Sequence, residues 1–206
     1  MRVSDHSPLA SLNMSVAPST ALALWKQQQY DEALLLIKEG IPNRIMALNV
    51  LIAETDTTGW DAEKHYVFIQ ATFLPTIYGF LDVMDKLGDF MHWQEPKADD
   101  GHNSGVQTLV TISNTCVAIY KEAQTCITGI TETMEIRAKF QRKSLKHPEC
   151  AEYAHAHQLN ETMRNKRTFR HLCCIRGYYV WVHDMIIKNL DVILEPRKAQ
   201  GGHHMY

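Results

Sequence analysis

Few residues in this chain have the types and spacing for chemistry. Glu152 and His155 form a Glu-x-x-His pair, the spacing by which bundle helices present di-iron ligands. Such centres use two of these pairs and two further inward glutamates, and this chain offers one pair near a helix start. His147, His157, His171 and His183 are scattered and read as ordinary surface or core histidines. His203-His204 is a tail dipeptide without the preorganised ligand set of a metal centre. Cys173 and Cys174 have His171 nearby, but a nucleophile needs a base placed beside it, and these helical offsets build no pocket. Asp99-Asp100-Gly101-His102-Asn103 has the acids of a calcium loop, yet lacks its alternating ligand spacing and terminal bidentate Glu. There is no Gly-rich phosphate loop and no strand-turn-helix nucleophile elbow. The expectation is a protein without cofactor, metal or catalytic centre of its own.

Composition points the same way. The 206 residues carry a net charge of -2, so no electrostatic footprint for nucleic acid stands out. The basic runs 137–143 and 164–170 read as solvated helix faces. Five cysteines without a CxxC fit reduced thiols inside the cell. The start of the chain is not a secretory signal, and no unbroken apolar run approaches the ~18 residues of a membrane span. An intracellular protein without nucleic-acid or membrane partners is expected. At 45% hydrophobic content, the chain has more apolar surface than single stripes on four helices can hide, which suggests subunit contacts.

Four helical segments position the remaining features. Residues 1–17 lack periodicity and read as a mobile leader. A first helix follows Pro18, with Leu22, Leu24, Trp25, Tyr30, Ala33, Leu34 and Ile37 as its apolar stripe. Gly40-Ile41-Pro42 must kink or break it before the pattern resumes at Ile45, Leu48, Leu51 and Ile52. The short connection 55–61 favours an antiparallel neighbour. The second helix carries Phe68, Phe73, Ile77, Phe80, Leu81, Met84, Leu87, Phe90 and Met91, with a kink expected at Pro75. Then comes a loop, Pro96 to Gly105, in which Gly101 and Gly105 permit positive φ while Asp100 and Asn103 can bond their own backbone. In the third segment Val106, Val110, Ser113, Val117, Tyr120, Gln124 and Ile127 step by fours and threes. Pro148 suits the start of the fourth segment, where Leu172, Ile175, Tyr179, Val182, Ile186, Asn189 and Ile193 keep the same step until Pro196 stops it. The last two helices would each be roughly 60 Å long, so they need packing along their whole length. The fold class is all-α, an elongated four-helix bundle with kinked helices spanning 18–195, followed by a polar tail, 196–206.

At the loop, Pro96-Lys97-Ala98-Asp99-Asp100-Gly101-His102-Asn103-Ser104-Gly105-Val106 resembles the signature of the eleven-S proteasome activator family, also called REG. The end of the fourth helix is similar to that family as well, at Asp184, the apolar run after it, Lys188-Asn189 and Pro196-Arg197. His147-Pro148 and Tyr153, Ile41-Pro42-Asn43-Arg44-Ile45 and Leu74-Pro75-Thr76-Ile77 also fall in family-like settings, so the resemblance runs from about residue 20 to the end. It implies a homoheptameric ring that uses no ATP and caps the 20S proteasome core particle, in the cytoplasm or nucleus. It also implies an activation loop of Lys97, Ala98, Asp99, Asp100, Gly101, His102, Asn103, Ser104 and Gly105, which opens the gate. A docking tail of Gln200, Gly201, Gly202, His203, His204, Met205 and Tyr206 would enter pockets between the α subunits. The chain departs from the family at His102 and Ser104, and it lacks the Lys/Glu-rich insert that many members carry between the first two helices. Without the resemblance, the residues fit a helical-bundle interaction module unrelated to the proteasome.

Overall fold

Two prolines shape the first half of the molecule. The computed structural model describes residues 18–96 and 103–196. Helix α1 (Pro18–Leu35) runs through a π turn (Leu36–Gly40) into α2 (Ile41–Glu54). Helix α3 (Ala62–Phe68) runs likewise through a second π turn (Ile69–Phe73) into α4 (Leu74–Gln94). Both π turns end two residues before a proline, Pro42 and Pro75. A helical proline has no N–H to give, and its ring crowds the carbonyl four residues back. Widening the turn by one residue relieves that clash: the Ile41 N–H reaches back to the Leu36 carbonyl and the Leu74 N–H to that of Ile69. The expected interruptions are therefore bulges in continuous helices, not breaks.

The second half is built from α5 (Ser104–Lys146), α6 (Ala151–Lys188) and the short α7 (Leu190–Leu194). No strand occurs among the described residues. Pro148 lies in the turn before α6 and does not start the helix. Paired contacts fix the topology. Trp25 meets Trp93 and Tyr30 meets Phe90, so α1 and α4 are antiparallel. Arg137 pairs with Glu161, Arg167 donates to Thr133, and His171 lies beside Gly129, so α5 and α6 are antiparallel. Phe73 faces His171 and Phe80 faces Tyr179, so α4 and α6 are parallel. In cross-section α2, α6, α5 and α4 occupy the four corners in that order, an up-down-up-down bundle.

The core agrees with the expected stripes on α4 and α6, and corrects them elsewhere. Ile77, Phe80, Leu87 and Phe90 from α4 and Leu172, Ile175, Val182 and Ile186 from α6 are buried. On α5 the fours-and-threes step is present but one position earlier: Gly105, Leu109, Ile112, Cys116, Ile119, Ala123, Cys126, Ile130 and Thr133 face inward. The expected set, with Val117 49% exposed, lies along the edge of that stripe. Two adjoining apolar rows run down this helix, and the sequence alone did not separate them. Leu22, Leu24 and Trp25 are exposed because the start of α1 has little to pack against beyond Trp93. Arg164, read as part of a solvated basic face, is 3% exposed. The helix Ala62–Gln94 is long and apolar enough by length and composition to cross a bilayer. In the bundle, its large side chains Phe73, Phe80, Leu87 and Phe90 are instead buried in the core.

Candidate functional site

The loop joining α4 to α5 has two well-built shoulders. On the α4 side, the Glu95 N–H donates to the His92 carbonyl at 3.2 Å, and the Glu95 carboxylate lies 3.5 Å from the His92 ring. On the α5 side, Asn103 has extended backbone (φ -112, ψ 115), and its side-chain oxygen accepts from the Gly105 N–H at 2.9 Å and the Val106 N–H at 3.3 Å. Its carbonyl accepts the first helical bond, from Gln107 at 3.0 Å. Asn103 is thus the N-cap of a 43-residue helix and satisfies donors that the first turn leaves open. The expected self-bonding of Asn103 is present. Gly105, expected to allow positive φ, is instead helical and buried in the first turn of α5. Ser104 also belongs to that turn. The other residues of the expected loop, 97–102, lie outside the described residues, as does the expected tail segment 200–206.

The chain's last described segment comes to the same end of the bundle. Because α6 is antiparallel to α5, its C-terminus lies beside the start of α5. Asn189, expected in the core stripe, breaks the helix there. Its N–H donates to the Ile186 carbonyl, its side-chain amide donates to the Met185 carbonyl at 2.7 Å, and its own carbonyl accepts from Ile193 at 2.9 Å. One residue therefore ends α6 and starts α7. Helix α7 packs on α4, α5 and α6, with Ile193 and Pro196 buried. Lys188 closes the exposed side of α6 with a 2.6 Å pair to Asp184.

The opposite end holds a polar cluster that the sequence reading did not assemble. Arg164 donates to the Asn165 side chain at 3.1 and 3.0 Å and to the Asp61 carbonyl at 3.1 Å, and it pairs with Glu161 at 2.9 Å. Asn165 donates to the Trp60 carbonyl at 3.1 Å. Together the two side chains clamp the 55–61 connection onto α6. Asp61 caps α3 by accepting from the Lys64 N–H, which together with nearby Lys64 and Arg164 holds its carboxyl below the usual range. Burial lowers the Arg164 guanidinium from its ordinary value, while Glu161 opposes that shift. The missed signal was visible: the fours-and-threes step of α6 continues upward through Thr168 and Asn165, polar residues at core positions. Among the described residues no group of three or more His, Cys, Asp or Glu is gathered for a metal ion.

Comparison with known proteins fits this architecture. A family profile described as "Proteasome activator PA28, C-terminal" matches residues 61–203. The proteins named proteasome activator complex subunit 3 from Homo sapiens and Mus musculus are each 29% identical over 110 residues, which is 52% of this chain. That match spans 42% of the length of those relatives. The crystal structure of the 11S subunit of the Plasmodium falciparum proteasome, PA28, superposes with a TM-score of 0.76 at 17% identity. It covers 89% of this chain and 97% of that one, and so shares the fold. With the profile spanning α3 to the C-terminal segment and the same all-helical bundle, the chain belongs to the PA28, or 11S, family of proteasome activators.

Proposed function

We propose that this chain is an ATP-independent activator of the 20S proteasome core particle, without a catalytic site of its own. Seven copies form a ring inside the cell, in cytoplasm, nucleus or both. The tail residues 200–206 enter pockets between α subunits of the core particle, and the loop 97–105 displaces the turns that hold its gate shut. Division of the chain into a leader (1–17), a bundle (18–195) and a docking tail (196–206) goes with this reading. The observation that carries it is topological: the α4–α5 loop and the segment after α7 leave from one end of a rigid bundle. Seven weak tails acting together bind far more tightly than one, through effective concentration. The loop then needs only a differential preference for the open gate. The capped start of α5 fixes the height of its C-terminal shoulder.

The test is hydrolysis of a fluorogenic peptide by purified 20S particles with this protein added. Stimulation is expected. Removal of His204, Met205 and Tyr206 should abolish binding. Asn103→Tyr should bind without stimulating, while Asn103→Ser, which can still cap α5, separates loss of the side-chain amide from loss of the cap. Stimulation by Asn103→Tyr equal to that of the parent would overturn the loop assignment. No stimulation by the parent would overturn the proposal.

A further inference from the structure

Helices α5 and α6 meet along a ladder of facing residues. Arg167 donates to the Thr133 hydroxyl at 2.8 Å, and a Cβ added at Gly129 would lie 3.5 Å from the His171 ring. From Gly129, steps of three and four residues back along α5 reach Cys126 and Glu122. From His171, the same steps forward along α6 reach Cys174 and Tyr178. Residues at these spacings share one helix face. Cys126 and Cys174 therefore occupy one rung, between Gly129–His171 and Glu122–Tyr178.

The electrostatics agree with this placement. Burial pushes the Cys126 thiol up to about 11, and Cys174 and Glu122 add to the rise. The Tyr178 phenol is raised by burial and then by Cys174, Cys126 and Glu122. Gly129 has no side chain to hold the helices apart beside this rung. The other cysteines lie elsewhere. Cys173 is about 100° away round α6, on the side where Arg176 meets Asn49 of α2. Cys116 is ten residues away along α5, or ~15 Å. Cys150 stands in the turn before α6. All five thiols are free.

We propose that Cys126 and Cys174 are a dithiol that a peroxide closes to an intramolecular disulfide, locking α5 to α6 within one subunit. Cys126 is 6% exposed and Cys174 is half-buried, so Cys174 meets the oxidant first. Its sulfur attacks a peroxide oxygen and the O–O bond breaks. The thiol proton leaves with the hydroxide as water, and Cys174 becomes a sulfenic acid. The Cys126 sulfur then displaces that hydroxyl: the S–S bond forms, the S–O bond breaks, and the Cys126 proton leaves with the hydroxide as a second water. Two thiols lose two electrons, and one hydrogen peroxide becomes two waters. A buried thiol with a raised pKa is a poor nucleophile toward peroxide, which suits Cys126 to the resolving step. The bond joins the helix that begins at the Asn103 cap to the helix that ends at Asn189. It lies within one chain and does not depend on the ring.

The test treats the full chain with stoichiometric hydrogen peroxide, then denatures it in N-ethylmaleimide and measures intact mass. The parent has five thiols, and loss of the two in the pair should leave three alkylated. A non-reducing digest should join the tryptic peptides 122–137 and 171–176, and dithiothreitol should separate them. Oxidation should raise the thermal midpoint by about 5–10 °C, reversibly. Cys173→Ser should keep both effects. Cys174→Ser and Cys126→Ala should lose both, with reduced forms that melt near the parent. Oxygen added to Cys174 without a link would show that the two thiols do not meet and would overturn the proposal. So would a link lost in Cys173→Ser, one kept in Cys174→Ser, or one that joins two chains. A link that leaves the midpoint unchanged would overturn the lock.

Discussion

The ring nitrogen Nε2 of His65 lies 2.8 Å from the Thr168 hydroxyl, joining the first turns of α3 to the middle of α6 across 103 residues of sequence. His65 is 2% exposed. Burial, assisted by the nearby Arg164 and Arg137 and opposed by Glu161, pushes its imidazole down from 6.5 to about 4. His171, further along the same interface, is lowered for the same first reason. Above pH 6.5 the imidazole is neutral in both folded and unfolded chains. Below it the unfolded chain takes up a proton that the folded one refuses until about pH 4. Stability should therefore fall between these pH values, with a ceiling of about 3 kcal/mol from His65. Urea titrations across this range should show the fall, and His65→Gln should flatten it. An unchanged slope in the variant would exclude His65 as its source.

The Asn103 cap can be separated from any role of the loop. Asn103→Ala should cost about 1 kcal/mol of folding stability, and Asn103→Asp should cost little, because a carboxylate also caps and suits the positive end of the helix. Chemical denaturation of the three proteins checks this. Equal stability in all three would mean that the bonds to Gly105 and Val106 contribute nothing to the fold.

Arg164 should be among the least replaceable residues. Arg164→Ala removes the clamp on Asp61 and Asn165 and leaves Glu161 with Arg137 and the His157 ring as its neighbours. Breaking a buried pair in this way costs roughly 3–5 kcal/mol. The 55–61 connection should also become cleavable in limited proteolysis under native conditions. A variant with parent-like stability and protease resistance would show that the connection is held by other contacts.

Phe80 meets Tyr179 edge to face, with centroids 4.7 Å apart and planes at 85°. Phe80 is fully buried, so Phe80→Ala should cost about 3–5 kcal/mol through lost contacts and the cavity left behind. A double-mutant cycle with Tyr179→Leu should return a coupling of about 0.5–1.5 kcal/mol, the part that belongs to ring geometry and not to burial. Additive effects would mean that the rings pack without that preference.

How much could be read in advance differs from helix to helix. On α6 the expected run Leu172, Ile175, Tyr179, Val182 and Ile186 is buried throughout, so periodicity named the inward row residue by residue. On α5 the rows through Leu109 and Ile119 and through Val110 and Ile127 are both apolar. Periodicity gave the step there, but the choice of row depends on which row meets α4 and α6. The prolines told where the first two helices must deviate, since ring sterics are local. Whether each deviation became a break or a π turn was decided by packing that keeps both halves of the helix on one core.

The loop motif and the all-helical class were likewise fixed by local chemistry and by resemblance. The clamp of Arg164 and Asn165 on the 55–61 connection was not, because its partners are backbone carbonyls more than a hundred residues away in the chain. Patterns within a few turns are set by covalent spacing and are legible in the sequence. Which of two apolar rows turns inward, and which buried polar groups find each other, depends on the free energy of the whole assembled bundle, and only the tertiary structure expresses it.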